Sequence, residues 1–214
     1  MGLSRRLFIG ASLSAATASV MAGANVAEAS ATKPQKWDKT VNVVIIGSGG
    51  AGLATAVSAA ENGVKDILVL EKLAFLGGNT AIATGAFNTA DPKQKEQGIE
   101  DSPELHAQQT LKGGDFRANP ELVNELSHNS YDTLTWLESK GVKFQPKILQ
   151  VYGALWPRSH ATAASKGSDY IRVLSEEAKK LGVTIQTQAK VVDIIRENQL
   201  SGRALGVEYL NKDG

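Results

Sequence analysis

The segment Val41-Asn42-Val43-Val44-Ile45-Ile46 is a near-continuous apolar, β-branched run, and it ends at Gly47-Ser48-Gly49-Gly50-Ala51-Gly52. A strand apolar on both faces belongs inside a parallel sheet rather than at a solvated surface. The glycines satisfy GxGxxG, and an Ala-rich segment from Leu53 to Asn62 follows, closed by Gly63. The pattern therefore predicts a strand, a tight turn and a helix with a glycine stop. A second apolar strand, Ile67-Leu68-Val69-Leu70, ends in the acidic Glu71, nineteen residues past Gly52. Strand, glycine turn, helix, strand and acid in this order define a βαβ unit that holds an adenine dinucleotide.

Each position has a mechanical reason. Gly47 allows the tight turn, Gly49 lets backbone approach a pyrophosphate, and Gly52 permits close packing of helix on strand. The helix N-terminus offers N–H donors and partial positive charge to the phosphates, so Gly47, Gly49, Ala51 and Gly52 are candidate cofactor-binding residues. Glu71 stands where a carboxylate accepts hydrogen bonds from ribose hydroxyls and disfavours a 2′-phosphate.

Composition narrows the chemistry. The 214 residues contain no Cys, which excludes disulfides, thiolate metal sites, iron–sulfur clusters and c-type haem attachment within this chain. A net charge of +1 gives no electrostatic footprint for nucleic acid. Redox chemistry would have to come from a bound organic cofactor.

The first 29 residues read as an export signal. Arg5 and Arg6 precede an Ala/Ser-rich, moderately apolar run, and Ala27-Glu28-Ala29 is a small-x-small cleavage site. Ser4-Arg5-Arg6-Leu7-Phe8-Ile9-Gly10 resembles the twin-arginine motif, used for proteins exported already folded around their cofactors, with an ordinary Sec signal as the alternative. The run is too rich in Ser, Thr and Gly for a stable bilayer span, so no membrane anchor is expected. Residues 30–40 are expected to be a short flexible leader, and residues 41–214 the folded domain.

The segment after Glu71 decides between cofactors. Gly77-Gly78-Asn79-Thr80 and Ala83-Thr84-Gly85-Ala86-Phe87-Asn88 are rich in glycine and small residues, which suits backbone lying flat against a second large ligand moiety. These residues resemble the fumarate reductase and succinate dehydrogenase flavoprotein family, in particular its soluble flavocytochrome c and urocanate reductase branch. The resemblance implies an α/β fold: a Rossmann-like FAD-binding domain of the three-layer, glutathione-reductase type with a short antiparallel β-meander. It implies that Asn79 and Thr80 touch the pyrophosphate and ribityl chain, and that the backbone of Thr84, Gly85 and Ala86 faces the isoalloxazine. Asn79-Thr80 stands where the membrane-bound branch has its His-containing attachment motif, so FAD is expected to be non-covalent.

Further along, residues 91–102 read as a polar linker. Asn119-Pro120-Glu121 is a helix start, with Leu122, Leu126, Leu134 and Leu137 as its apolar face and Gly141 as its stop. His106 and His128 read as packed or solvated histidines. Within Trp156-Pro157-Arg158-Ser159-His160, a similar Arg-Ser-His stands in the resembled family just before the helix that returns to the nucleotide domain; no carboxylate or second His is spaced to form a catalytic pair with Arg158 or His160, so a structural role, packing the loop near the flavin, is expected. Ser168 is expected to cap a helix running to Leu181, with Ile171, Leu174, Ala178 and Leu181 inward.

Three strands are expected in the tail, over 184–188, 191–196 and 204–210, forming the meander. By resemblance its first valine, Val191, contacts the adenine; the plain alternative is a core valine. The sequence stops at Asn211-Lys212-Asp213-Gly214, a hairpin-turn signal. In the resembled family a further strand with Ala-Thr-Gly-Gly follows, then a capping domain and the residues that bind a dicarboxylate and deliver its proton.

By resemblance the chain is thus the cofactor-binding part of an exported, periplasmic flavoenzyme that reduces the C=C bond of a fumarate-like enoate. With no haem motif of its own, it would take electrons from a separate c-type cytochrome. The enoate would meet a region outside these residues. Two alternatives stand beside this reading: a non-catalytic flavin-binding remnant or split subunit, and an NAD-binding dehydrogenase domain.

Overall fold

A computed structural model describes residues 36–198 and 201–213, so the export signal expected over 1–29 lies outside the described residues. The chain opens with β1 (Val43–Ile46), α1 (Gly50–Glu61) and β2 (Ile67–Leu70). β1 and β2 pair in parallel from Val43↔Ile67 to Ile46↔Leu70. All four residues of β2 are buried, as a central parallel strand requires. α1 begins at Gly50, three residues before the expected Leu53, so its first turn is built from the glycine motif itself.

The remaining elements are α2 (Gly78–Ile82), β3 (Ala86–Asn88), a 3-10 helix (Pro92–Gln97), α3 (Pro103–Gly113), α4 (Pro120–Lys140), β4 (Ser159–Ala161), α5 (Ser168–Lys180), β5 (Thr184–Gln186), β6 (Lys190–Asn198) and β7 (Ser201–Leu210). The parallel sheet has the order β1-β2-β5, β3 and β4 form an antiparallel ribbon, and β6 and β7 form another. The expected three-stranded meander is corrected in one strand. β5 pairs in parallel with β2, Leu68↔Thr184 to Leu70↔Gln186, and only β6 and β7 form the antiparallel part.

The main core lies between the sheet and helices α1 and α5. Leu53, Ala56 and Val57 of α1 are spaced three and four apart, and they meet Ile171, Leu174 and Ala178 of α5 over Ile45, Ile67 and Val69. On the opposite side of the sheet, Leu68, Leu70 and Ala189 form a smaller core with Val44, Val191, Val207 and Tyr209 packed against it.

Several local expectations are revised. The polar stretch 91–102 is not a free linker. Asp91 accepts from the Lys93 N–H at 2.8 Å while Gln94 Oε1 accepts from the Asp91 N–H at 2.6 Å, a reciprocal cap on the 3-10 helix. α4 is capped by Asn119 as expected, with Oδ1 accepting from the Glu121 N–H at 2.8 Å, but its buried face is rotated. Val123, Ser127, Ser130, Leu134 and Leu137 face inward, whereas Leu122 and Leu126 are exposed.

α5 is preceded by Gly167 rather than capped by the Ser168 side chain, and Leu181 lies past its end, at the surface. The expected leader is partly docked. Trp37 lies so close over β7 that a Cβ on Gly206 would stand 2.4 Å from its ring.

Candidate functional site

The carboxyl ends of β1 and β2 present three segments to one another. Gly47 leaves β1 with its N–H donating to the Leu70 carbonyl at 2.8 Å and a φ of +93°, which an L side chain disfavours. Gly52 is constrained by contact instead, since a Cβ there would lie 2.0 Å from the Gly47 carbonyl oxygen. Gly49 differs from both. A Cβ on it would meet the Gly77 carbonyl at 3.8 Å and Thr80 Oγ1 at 4.0 Å, ordinary contacts, so the fold itself does not demand a glycine at position 49.

α1 meets this space with its N-terminus. The Gly50 N–H donates to Thr80 Oγ1 at 3.1 Å, while the N–H groups of Gly49, Ala51 and Gly52 donate no hydrogen bond among the described residues. No acidic side chain occupies the first turn of α1. Three free donors at the positive end of a 12-residue helix are suited to an anionic group.

Glu71 follows β2 and is buried. Burial pushes its carboxyl up. Hydrogen bonds from the Leu73 N–H at 2.9 Å, the Ser48 hydroxyl at 2.7 Å and the Ser48 N–H at 2.9 Å outweigh it, and the net effect lies below the usual carboxylate range. Glu71 is thus held ionised at the turn, as an acceptor of ribose hydroxyls requires.

The third segment is α2 and the backbone after it. Gly77 bridges Gly49 in parallel fashion, and its N–H donates to the Ser48 hydroxyl at 3.3 Å. Asn79, Thr80, Thr84, Gly85 and Ala86 line a hollow of about 340 Å³ together with Gly167 and Tyr170. Gly85 is buried, and its carbonyl accepts from the Tyr170 hydroxyl at 2.9 Å and the Thr162 N–H at 3.1 Å. Asn79, Thr84 and Ala86 are exposed and open to a ligand. Ten of the eleven candidate residues therefore lie in three adjoining segments. Val191 is in β6, opposite Tyr209 and half-buried against the smaller core, which includes Leu70, the residue before Glu71.

The sequence reading missed Ser48, an unnamed position of GxGxxG, which touches both Glu71 and Gly77. It also missed a second, buried polar cluster. Arg158 is paired with Asp101 through Nε at 2.9 Å and Nη2 at 2.7 Å, and His160 Nε2 stands 3.2 Å from Asp91 Oδ2. Gln94 links them, donating to Asp101 at 3.1 Å and to the Pro157 carbonyl at 2.8 Å. Arg158 and His160 thus have buried carboxylate partners, which come from the stretch read as a linker. The Asp91-x-x-Gln94 capping signature was the available signal.

His106 is also buried here. Burial lowers its pKa, Arg158 adds to that, and Asp101 opposes it. His128 is exposed, with its ring nitrogens at 2.9 Å from the Asn124 carbonyl and 3.3 Å from Glu104.

Residues 42–214 match the family model described as FAD binding domain. The acrylate reductase flavoprotein subunit of Shewanella woodyi is 34% identical over 207 residues, 96% of this chain and 40% of that protein. A 3-ketosteroid-delta4-(5alpha)-dehydrogenase from Rhodococcus jostii, solved with 4-androstene-3,17-dione, superposes with a TM-score of 0.75 at 28% identity, over 86% of this chain and 44% of the other. The open conformation of a flavocytochrome c3 fumarate reductase gives 0.72 at 28% identity, over 81% and 32%. The chain thus spans less than half the length of each. N–H donors unpaired among the described residues, a glycine at position 49 that the fold itself does not require and an ionised Glu71 fit a dinucleotide cofactor.

Proposed function

We propose, from the premise that this chain belongs to the FAD binding domain family, that it forms the cofactor-holding part of an oxidoreductase reducing a C=C bond conjugated to a carboxylate. FAD is the cofactor, and the related proteins are flavin-dependent. One observation carries the reading: the glycine turn, Glu71 and the Gly77–Thr80 segment converge, leaving three N–H donors unpaired among the described residues beside one carboxylate held ionised. When bound, FAD supplies the hydride chemistry. The chain's own residues do the holding. The N–H groups of Gly49, Ala51 and Gly52 bind phosphate oxygens, Glu71 accepts from the ribose, and Asn79 and the Thr84–Ala86 backbone meet the ribityl and ring portions without a covalent bond.

Acrylate and fumarate, named for two of the similar proteins, share an unsaturated bond activated by a carboxylate. That shared chemistry supports an enoate substrate, selected by residues beyond those that hold the cofactor. Export rests on the Arg5-Arg6 pattern, and a periplasmic location follows from it. No helix among the described residues is long and apolar enough to cross a membrane. These 214 residues contain no Cys to attach a c-type haem, and a c-type cytochrome is the electron donor in this proposal.

The test is direct. The purified protein should be yellow, carry one FAD per chain, and release it on denaturation in acid, as a non-covalent cofactor does. Reduced methyl viologen should then be oxidised on adding acrylate or fumarate to the full-length protein. A colourless preparation that takes up NADH but no FAD would sink the proposal.

A further inference from the structure

We infer that Ser48 is a positioning residue of the FAD site, whose hydroxyl fixes the Glu71 carboxylate and ties it to the Gly77–Thr80 segment. The inference rests on the flavin reading above. Ser48 has no exposed surface, so its hydroxyl serves neighbours rather than solvent. It receives the Gly77 N–H at 3.3 Å and donates to Glu71 Oε2 at 2.7 Å. With a donor already on the hydroxyl oxygen, its proton is directed to the carboxylate. The Ser48 N–H reaches the same Oε2 at 2.9 Å, and the Leu73 N–H reaches Oε1 at 2.9 Å.

A carboxylate has about four acceptor positions. Ser48 takes both on Oε2 and Leu73 takes one on Oε1, which leaves a single open position on Oε1. Glu71 is therefore presented in one orientation, with one acceptor position on Oε1 free for a ribose hydroxyl. Gly77 is bonded to the hydroxyl that sets this orientation, so the ribose end and the Gly77–Thr80 end of the site are coupled through one side chain. Lys72 is the charged neighbour of Glu71, and it too favours the ionised form.

FAD affinity measured across pH separates this role from simple packing. Ser48→Ala should weaken FAD binding about tenfold at neutral pH, the scale of one hydrogen bond to a charged group. It should also move the acid limb of the affinity profile to higher pH, because the ionised Glu71 has lost a donor. Ser48→Thr should restore both. Unchanged affinity, or a loss uniform at every pH, overturns the inference.

Should Ser48→Ala fail to fold, Glu71→Asp provides the second arm. It keeps a carboxylate but withdraws it from the hydroxyl, and it must shift the same limb; an unshifted limb overturns the inference as well. FAD uptake by the unaltered protein distinguishes the two levels. Uptake with no effect of either substitution removes the positioning role alone, whereas no uptake removes the flavin reading and this role together.

Discussion

The Tyr170 hydroxyl donates to the carbonyl of Gly85 at 2.9 Å across 85 residues of chain, joining α5 to the backbone that lines the hollow beside Asn79 and Thr80. Burial raises the phenol above its ordinary range, and the neighbouring Asp169 adds to this, so the donor proton stays in place at neutral and mildly alkaline pH. Removing the hydroxyl leaves the Gly85 carbonyl with the Thr162 N–H alone. Tyr170→Phe should cost about 1 to 2 kcal/mol of stability in urea unfolding. A change within error would mean that the bond contributes nothing net.

Glycines 49 and 52 should fail in different ways. A Cβ at Gly52 collides with the Gly47 backbone, whereas one at Gly49 meets only ordinary contacts. Gly52→Ala should therefore destabilise the fold by about 3 kcal/mol or more, as overpacking against backbone does. Gly49→Ala should unfold within about 0.5 kcal/mol of the unaltered protein and yet lose most of its FAD affinity. Thermal melts with and without FAD test both, and equal destabilisation by the two substitutions would contradict the geometry.

The Arg158–Asp101 pair is buried on both sides, with side-chain exposures of 7% and 1%. Removing one partner strands the other charge, so Asp101→Ala or Arg158→Met should each cost about 3 to 5 kcal/mol. The double variant should cost clearly less than the sum, because neither charge remains. A double-mutant cycle in denaturant reads the coupling, and additive losses would show that the two residues act independently.

Acid should loosen the protein through His106. Its pKa in the folded chain lies below the ordinary 6.5, so the unfolded chain binds the proton more readily. The stability associated with a neutral His106 is thus fully present above about 6.5, declines as pH falls below that, and is lost by the time pH has passed the lower, folded value. His106→Gln should flatten this part of the stability–pH curve just below neutrality. A slope identical to that of the unaltered protein would exclude His106 as its source.

The elements read correctly from sequence are those whose causes are local. β2 is four apolar residues followed by an acid, and Asn119-Pro120-Glu121 carries its own cap, so neighbours along the chain sufficed. The buried face of α4 was not legible, because hydrophobicity favoured Leu122 and Leu126 over Ser127 and Ser130. Ser130 can be buried because its hydroxyl donates to Thr89 at 2.8 Å, a partner 41 residues away.

Long-range pairing decided the other misses too. Arg158 lies 57 residues from Asp101, and nothing within β5 distinguishes a parallel partner of β2 from a strand of the ribbon. At the site, the glycines and Glu71 were legible because their spacing is the mechanism. Ser48 was not, since the motif leaves its position free and its task appears only when Glu71 and Gly77 fold against it.

β1 pairs with β2 alone among the described residues, and Ile46 at its end is 52% exposed. An apolar strand with one open side acts as a template, because its free N–H and C=O groups can extend the ladder with whatever extended segment arrives first. The order of encounters therefore matters for this domain. A segment of the same protein that arrives promptly would close the sheet, whereas at high concentration a second molecule competes for the same place, and self-association should rise steeply with protein concentration.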